Sequence, residues 1–426
     1  MAGTPDVAII GGGYAGMAAA VELASAGVAV TVYEANAVLG GRARRIAYRG
    51  RTLDNGQHLV LGAYRTLTRM IDRVAPQSDP FVRTRFDYRY GDELELRTRA
   101  LPAPLDMISA LVLARGLSWS ERWAATRFIG SLRKASICDG ETVSAWLTRA
   151  RQSAALMRGL WEPICTAALN TRPKHADACT FRNVLEAALL GGSGASDLLF
   201  ARVDLSALFP EPARAYIERR SGKVLHTAVR SLEHANGRYL LHSAKTNHAH
   251  DFVIVATAPQ QARHLLRFDP LKAFAAFCAV LEHEPIYTAY FEYAHAARLP
   301  SAMLGLDTGI AQWLFDRHAV GLSGPQLAAV ISAHGAHEQL SRDQILAQIA
   351  AEIDRRFGFG QPEFQALVIE KQATFSARPK LPRPASKTEL PRLYLAGDYT
   401  EGPYPATLEA AVESGVRCAQ LVLKDT

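Results

Sequence analysis

The stretch VAIIGGGYAGMAAAVELASAGVAVTVYE, residues 7–34, decides the fold. Val7 to Ile10 is a short apolar run that reads as a strand. Gly11, Gly13 and Gly16 follow in GxGxxG spacing and open an alanine-rich helix from about Ala15 to Ala26. Gly11 permits a tight turn, Gly13 lets a pyrophosphate approach the backbone, and Gly16 lets helix and strand pack closely. The first helical turn leaves N–H groups free for the anion. Val28 to Tyr33 reads as a second strand, and Glu34 ends it where a carboxylate accepts both hydroxyls of an adenosine ribose. The same carboxylate repels a 2′-phosphate, which disfavours NADP.

Three further elements move the reading from dinucleotide binding in general to FAD. Gly40, Gly41 and Arg42 bring backbone N–H groups and a guanidinium to the same pyrophosphate, which a domain binding only NAD does not need. In LYLAGDY, residues 393–399, Asp398 follows a strand and two small residues, where it can bond ribityl hydroxyls. The helix starting near Thr407 then points its positive end at the flavin N1 and C2 carbonyl. Gly222 to Val224 is expected to approach the adenine, with Val224 giving backbone contacts.

The 426 residues, 49% hydrophobic and 21% charged, suit a soluble globular protein of two or three domains and exclude disorder. The net charge of +7 comes from 48 basic residues scattered among 41 acidic ones. A solvated mixed surface or an attraction to anionic lipid accounts for it, and with no basic run or nucleic-acid module, nucleic acid is not an expected partner. Cys138, Cys165, Cys179, Cys278 and Cys418 form no CxxC pair, so neither a metal site nor a disulfide framework is implied. No Lys or Arg precedes Arg42, so no signal peptide is expected, and no apolar run is long enough for a transmembrane helix. The expected location is cytoplasmic.

Beyond the first unit, YRYGDELELRTR (88–99) alternates like a hairpin, and Leu105 to Leu190 carries helical periodicity, with Ser118 and Glu121 forming a capping box. SGKVLHTAVRSL (221–232), a turn at Asn236-Gly237 and the strand Phe252 to Ala256 return to the nucleotide fold. Strand-like segments at 285–293, 312–315 and 327–332 precede a capped helix from Ser341 to Phe357, striped by Ile345, Ile349 and Ile353. Arg378 to Pro391 is a proline-rich linker. The expected fold class is α/β, a Rossmann-like FAD-binding domain with an inserted α+β substrate region and a helical cap. Its FAD-binding domain takes residues 1–85, 214–272 and 385–426, with a mostly helical cap at 86–213 and an α+β substrate domain at 273–384.

The fingerprint through Glu34, GGRARR (40–45), DNGQHLVLGAY (54–64) and the AGD element resemble the FAD-dependent amine oxidase and phytoene desaturase superfamily. More narrowly, LWEPICTAALNT (160–171), ASDLLFARVDLSALFPEP (195–212), ATF (373–375) and LAGDYTEGPYPATLEAAVESG (395–415) are similar to the hydroxysqualene dehydroxylases. The resemblance spans nearly the whole chain. It implies reductive removal of the allylic hydroxyl of hydroxysqualene, a hydrophobic isoprenoid, giving squalene and water for hopanoid synthesis. It further implies FAD held by Gly11, Gly13, Tyr14, Ala15, Gly16, Glu34, Ala35, Gly40, Gly41, Arg42, Asn55, Gly56, Gln57, His58, Val224, Ala256, Gly397, Asp398, Ala406 and Thr407. Because Cys418 lies late in the final helix, the wrong place for a flavin thioether, the FAD is expected to be noncovalent.

Three residues are candidates for protonating the departing hydroxyl. His58 ends the polar DNGQH run and is either a proton donor, since an imidazole can titrate near neutrality, or a structural histidine bonded to backbone. Asp197 is either a buried acid with raised pKa or a helix N-cap for Leu198 onwards. Tyr404 flanks the flavin element, as does Tyr399, and each is either a donor or a side chain packed against the flavin ring. No second Rossmann unit for a nicotinamide is evident, so an external electron donor or reductase is expected. Leu105 to Lys134 sets Met107, Leu111, Leu113, Trp119, Trp123 and Phe128 among Arg115, Arg122, Arg127, Arg133 and Lys134. It reads either as an interfacial helix pair giving peripheral membrane contact or as a buried cap with one solvated face. The rivals are an isoprenoid desaturase using oxidised flavin and a lipid-escort protein without flavin. Glu34, the Gly40-Gly41 doublet and Asp398 together favour catalysis, and no cysteine or lysine is placed for an amine oxidase.

Overall fold

The computed structural model describes residues 5–243, 247–267 and 271–426. Asp6–Ile10 is the middle strand of a five-stranded parallel sheet, because its apolar side chains need cover on both faces. Ala29–Glu34 and Phe252–Val255 flank it, and Lys223–His226 and Leu393–Leu395 form the two edges. Three separated stretches of chain thus build one sheet. The helix Tyr14–Ser25 lies against it and packs closely on the last helix, Leu408–Asp425: a Cβ on Gly415 would come within 2.1 Å of the Ala15 carbonyl oxygen. Val229–Ala235, Arg238–Ser243 and Asn247–His250 make a small antiparallel sheet, its first turn closed by Asn236 and Gly237, both at positive φ.

A second, seven-stranded sheet runs in the order Phe364–Phe375, His283–Glu292, Leu327–Ser332, Trp313–Asp316, Met303–Gly305, Asp87–Tyr90, Leu94–Arg97. Its side chains alternate between two cores. Tyr287, Ala289, Leu314, Ala329 and Ile331 pack under the helix Arg342–Phe357, where Ile345, Ile349 and Ile353 form the expected stripe. Ile286, Trp313, Phe315 and Val330 point the other way, into a cavity. The hairpin at 87–97, grouped above with the helical segment, belongs instead to this sheet. Tyr90 pairs with Gly305, a glycine whose missing Cβ leaves room for the tyrosine ring.

The remainder of the middle segment is helical, with Leu105–Val112, Trp119–Ser131, Val143–Arg149, Glu162–Leu169 and Ala178–Leu190. Ser118 Oγ accepts from the Glu121 N–H while Glu121 Oε2 accepts from the Ser118 N–H, so the capping box forms. Phe128 fixes the layer internally, 4.9 Å from the Trp146 ring and 5.0 Å from that of Trp161. Residues 198–201 are not helical. Leu198–Ala201 is a strand between Val60–Leu61 and Phe81–Thr84, which removes Asp197 from any N-cap position.

Candidate functional site

In a parallel sheet every strand ends at the same edge, and here those ends deliver Gly11, Ala35, Thr227, Ala256 and Gly397 to one cavity of about 890 Å³. Gly11 has φ +115°, and a Cβ there would lie 2.6 Å from the Ala256 oxygen. A Cβ on Gly16 would lie 2.0 Å from the Gly11 oxygen. Gly16 is therefore a packing residue behind the turn and does not line the cavity, unlike Gly11, Gly13, Tyr14 and Ala15. Gly13 is the N-cap of Tyr14–Ser25 without any side-chain cap, so the first-turn N–H groups are left for an anion. The second glycine element docks on the first through Gly40 N–H to the Gly12 oxygen at 2.9 Å.

Glu34 is 6% exposed and lines the cavity beside Ala35. Its Oε2 accepts from the Gly12 N–H at 2.6 Å, and its Oε1 accepts from the Asn36 N–H and Nδ2 at 2.8 and 2.9 Å. A carboxylate offers about four acceptor positions, so one remains on Oε2 for a sugar hydroxyl where two were expected. Asn36 was not singled out by sequence. Val224 does not approach the adenine as expected: it pairs with Val32 within the edge strand Lys223–His226, packs into the core and misses the cavity. The register carries the chain to the edge only at Thr227–Arg230, and these residues line the cavity in its place.

At the other end, Arg42 does not stand free towards a pyrophosphate. Its Nη2 donates to Asp398 Oδ2 and its Nη1 to the Ala373 oxygen, both at 2.5 Å, so charge on Asp398 is already matched. Gly41, Arg42, Gly397, Asp398, Ala406 and Thr407 all line the cavity. Thr407 Oγ1 accepts from the Ala410 N–H and caps the last helix. Arg383, inside the segment read only as a proline-rich linker, holds this region together. Its guanidinium donates to the carbonyls of Asp398, Tyr399, Gly402 and Tyr404 at 2.7–3.4 Å, and burial draws its pKa down to about 10. No local pattern marks an arginine that works by reaching four carbonyls elsewhere.

The DNGQH run joins the two halves of the cavity. Asp54 Oδ1 accepts from the Leu205 N–H at 2.9 Å, and burial raises its pKa to about 6. Asn55 Nδ2 donates to the Arg42 oxygen and to Glu370 Oε2, both at 3.0 Å. Gln57 Oε1 accepts from Arg317, a buried arginine that sequence reading missed. Gly56, Gln57 and His58 line the cavity. His58 Nδ1 lies 3.0 Å from the Gly56 oxygen, which can only accept, so Nδ1 carries the proton and Nε2 keeps its lone pair. Burial and the charge of Arg42 hold its pKa below the usual imidazole range, so the neutral ring dominates at neutral pH.

The other two proton candidates separate. Tyr404 lines the cavity, and burial with nearby Glu413 and Glu409 keeps its phenol protonated. Asp197 lies outside the cavity and pairs with Arg83 at 3.1 Å, so the buried-acid reading falls along with the N-cap one. Beyond the polar belt the walls are apolar and aromatic: Phe86, Tyr88, Ile164, Leu185, Leu189, Leu198, Ile286, Met303, Trp313, Phe315 and Val330. Among the described residues no cysteine or lysine lines the cavity, and no group of three metal-ligating side chains occurs. Cys418 is buried in the last helix against the Leu395 oxygen, and burial pushes its thiol up to about 12.

The glycine turns, the uncapped helix N-terminus and Glu34 therefore fit a dinucleotide, and the apolar half fits a long hydrophobic substrate. Residues 14–423 match the family model for flavin containing amine oxidoreductases. The chain is 31% identical to the hydroxysqualene dehydroxylase of Rhodopseudomonas palustris, covering 98% of each chain. It is 29% identical to that of Sinorhizobium fredii, covering 99% of each. Among solved structures, cyclohexylamine oxidase from Brevibacterium oxydans superposes with a TM-score of 0.71 over 99% of both chains at 18% identity, a likeness of fold.

Proposed function

The chain belongs to the hydroxysqualene dehydroxylase family of flavin containing amine oxidoreductases, and from that premise we propose that it binds FAD noncovalently and converts hydroxysqualene to squalene and water. The observation that carries the reading is one cavity whose glycine-lined end fits a dinucleotide and whose other end is apolar and aromatic. The cofactor's contribution, when reduced, is a hydride to the allylic carbon. The C–O bond breaks as that C–H bond forms, and the hydroxyl takes up one proton and leaves as water.

The chain's own residues set the conditions for this exchange. The N-terminus of Tyr14–Ser25 and the Gly40-Gly41 turn hold the pyrophosphate, Glu34 the adenosine ribose, and Asp398, oriented by Arg42 and Arg383, the ribityl chain. Ile164, Leu185, Leu198, Ile286, Met303, Phe315 and Val330 exclude water, sheltering cationic character at the reacting carbon. Tyr404 holds a proton at neutral pH and is the assigned donor to the departing oxygen. His58 presents an acceptor Nε2 and orients a polar group. An external reductase or a diffusible reductant renews the cofactor, and the protein works in the cytoplasm in peripheral contact with the membrane, where such a substrate resides.

The test is anaerobic incubation of FAD-loaded, chemically reduced protein with hydroxysqualene in detergent. Squalene formed in proportion to flavin oxidised supports the proposal. Oxidation of a polyene by the oxidised enzyme instead assigns a desaturase, and a colourless protein that cannot be reconstituted assigns a lipid escort. Tyr404→Phe is expected to lower kcat with little change in KM and to alter the pH profile, whereas a purely structural role leaves the profile in place.

A further inference from the structure

We propose that the outer face of the helix pair Leu105–Val112 and Trp119–Ser131 is the surface that docks on a bilayer containing anionic lipid. The inference deepens the peripheral contact proposed above and rests on that reading for its occupant, not on the identity of the substrate. Of the ten large apolar side chains exposed among the described residues, seven lie between positions 101 and 123: Leu101, Leu105, Ile108, Val112, Leu113, Trp119 and Trp123. Such clustering is what marks an exposed patch as an interaction site.

The patch is ordered. Leu105, Ile108 and Val112 fall at i, i+3 and i+7 on one helix and Trp119 and Trp123 at i and i+4 on the next, while Met107, Leu111, Phe128 and Ile129 face the core. Each helix thus has a buried apolar face and an exposed one. Trp119 is 74% and Trp123 67% exposed. Arg122 ties the helices together, donating to the carbonyls of Val112 and Leu117 at 2.9 and 3.0 Å with its guanidinium 4.7 Å over the Trp119 ring. The apolar surface is therefore preformed.

Charge selects the occupant. Between residues 99 and 127 the cations are Arg99, Arg115, Arg122 and Arg127, and the acids are Asp106 and Glu121. Asp106 is buried against the Met107 N–H, and Glu121 is taken up by Ser118 and Ser153. Arginines around an apolar centre match anionic headgroups above an acyl layer. A second copy of this chain would bring the same positive rim against it. Continuity with the cavity also favours a lipid surface: Arg133, just past the second helix, donates to the Leu190 oxygen at 2.8 Å, and the helix Ala178–Leu190 lines the cavity with Val184, Leu185 and Leu189. Among the described residues no helix is long and apolar enough to cross a membrane, so the contact is from one side.

The experiment sediments FAD-loaded protein with phosphatidylcholine vesicles, with and without phosphatidylglycerol, and follows tryptophan emission. Trp146, Trp161 and Trp313 are buried, so a blue shift on binding reports Trp119 and Trp123. W119S/W123S is expected to lower vesicle partitioning at least about tenfold, through lost apolar insertion. R115E/R127E is expected to abolish the preference for phosphatidylglycerol. Both variants should keep the wild-type melting temperature and turnover of detergent-dispersed substrate, since no altered side chain lines the cavity. Wild-type protein that ignores both vesicles, or binds them as tightly after W119S/W123S, overturns the assignment. So does a concentration-dependent dimer that this variant abolishes. If dehydroxylation fails in detergent while vesicle binding follows the expected pattern, the substrate reading falls and the docking surface stands.

Discussion

Substituting Asp54 by Asn separates a cost built into the site from the rest of the fold. Burial raises the Asp54 carboxyl from 3.8 to about 6, opposed by the Leu205 N–H bond and the Arg317 charge. The folded protein thus holds this proton more tightly than the unfolded chain. The associated stability is fully present below about pH 4 and is lost as pH rises through about 6. The gap between the two values corresponds to about 3 kcal/mol. The replacement amide would not titrate, and its Oδ1 can still accept from the Leu205 N–H, which ties the DNGQH run to the neighbouring short helix. The stability of D54N relative to wild type should therefore increase by about 2–3 kcal/mol between about pH 4 and pH 7. Urea unfolding of both proteins across that range measures it, and other titrating groups cancel in the difference. A stability difference that stays flat with pH, or moves the opposite way, would refute the argument that burial dominates Asp54.

Glu34→Ala removes the acceptor for the Gly12 and Asn36 N–H groups as well as the position left for a sugar hydroxyl. It should weaken FAD binding roughly 10- to 100-fold, the scale of a hydrogen bond to a charged group, as read from flavin fluorescence on titration; unchanged affinity contradicts the placement. Arg383→Leu should loosen the 397–404 segment, lowering both melting temperature and flavin retention. Arg383→Lys should not restore either, because four carbonyls need the guanidinium fork. Asp197→Asn should leave turnover within about twofold, since it disturbs only the pair with the exposed Arg83. Acid precipitation should release all the flavin into the supernatant, whereas a coloured pellet would contradict noncovalent binding.

Where function depended on local backbone chemistry, the sequence was legible. The GxGxxG turn, Glu34 at a strand end and the AGD segment each depend on neighbours a few residues away, and Gly11, Gly13, Glu34, Gly397 and Asp398 line the cavity while Gly16 packs behind it. Val224 failed for a reason of register: the strand had to pair with Ala29–Glu34 before its edge position, Thr227, could be known. Asp197 failed because ASDLL fits a helix start, and only pairing of Leu198–Ala201 with two distant segments makes it a strand.

The sequence by itself determined that this chain folds around a dinucleotide cradle, because glycine spacing, strand length and a terminal carboxylate are short-range requirements. It also carried the family resemblance. The tertiary structure decided which charges face one another. Arg42 meets Asp398 across 356 positions, Arg383 reaches four carbonyls of another segment, and the 87–97 hairpin joins a sheet whose other strands begin at residue 283. It decided, too, that the helix pair at 105–131 buries one apolar face and exposes the other. Periodicity fixes which residues share a face, but only packing against the rest of the chain settles which face is left for a partner.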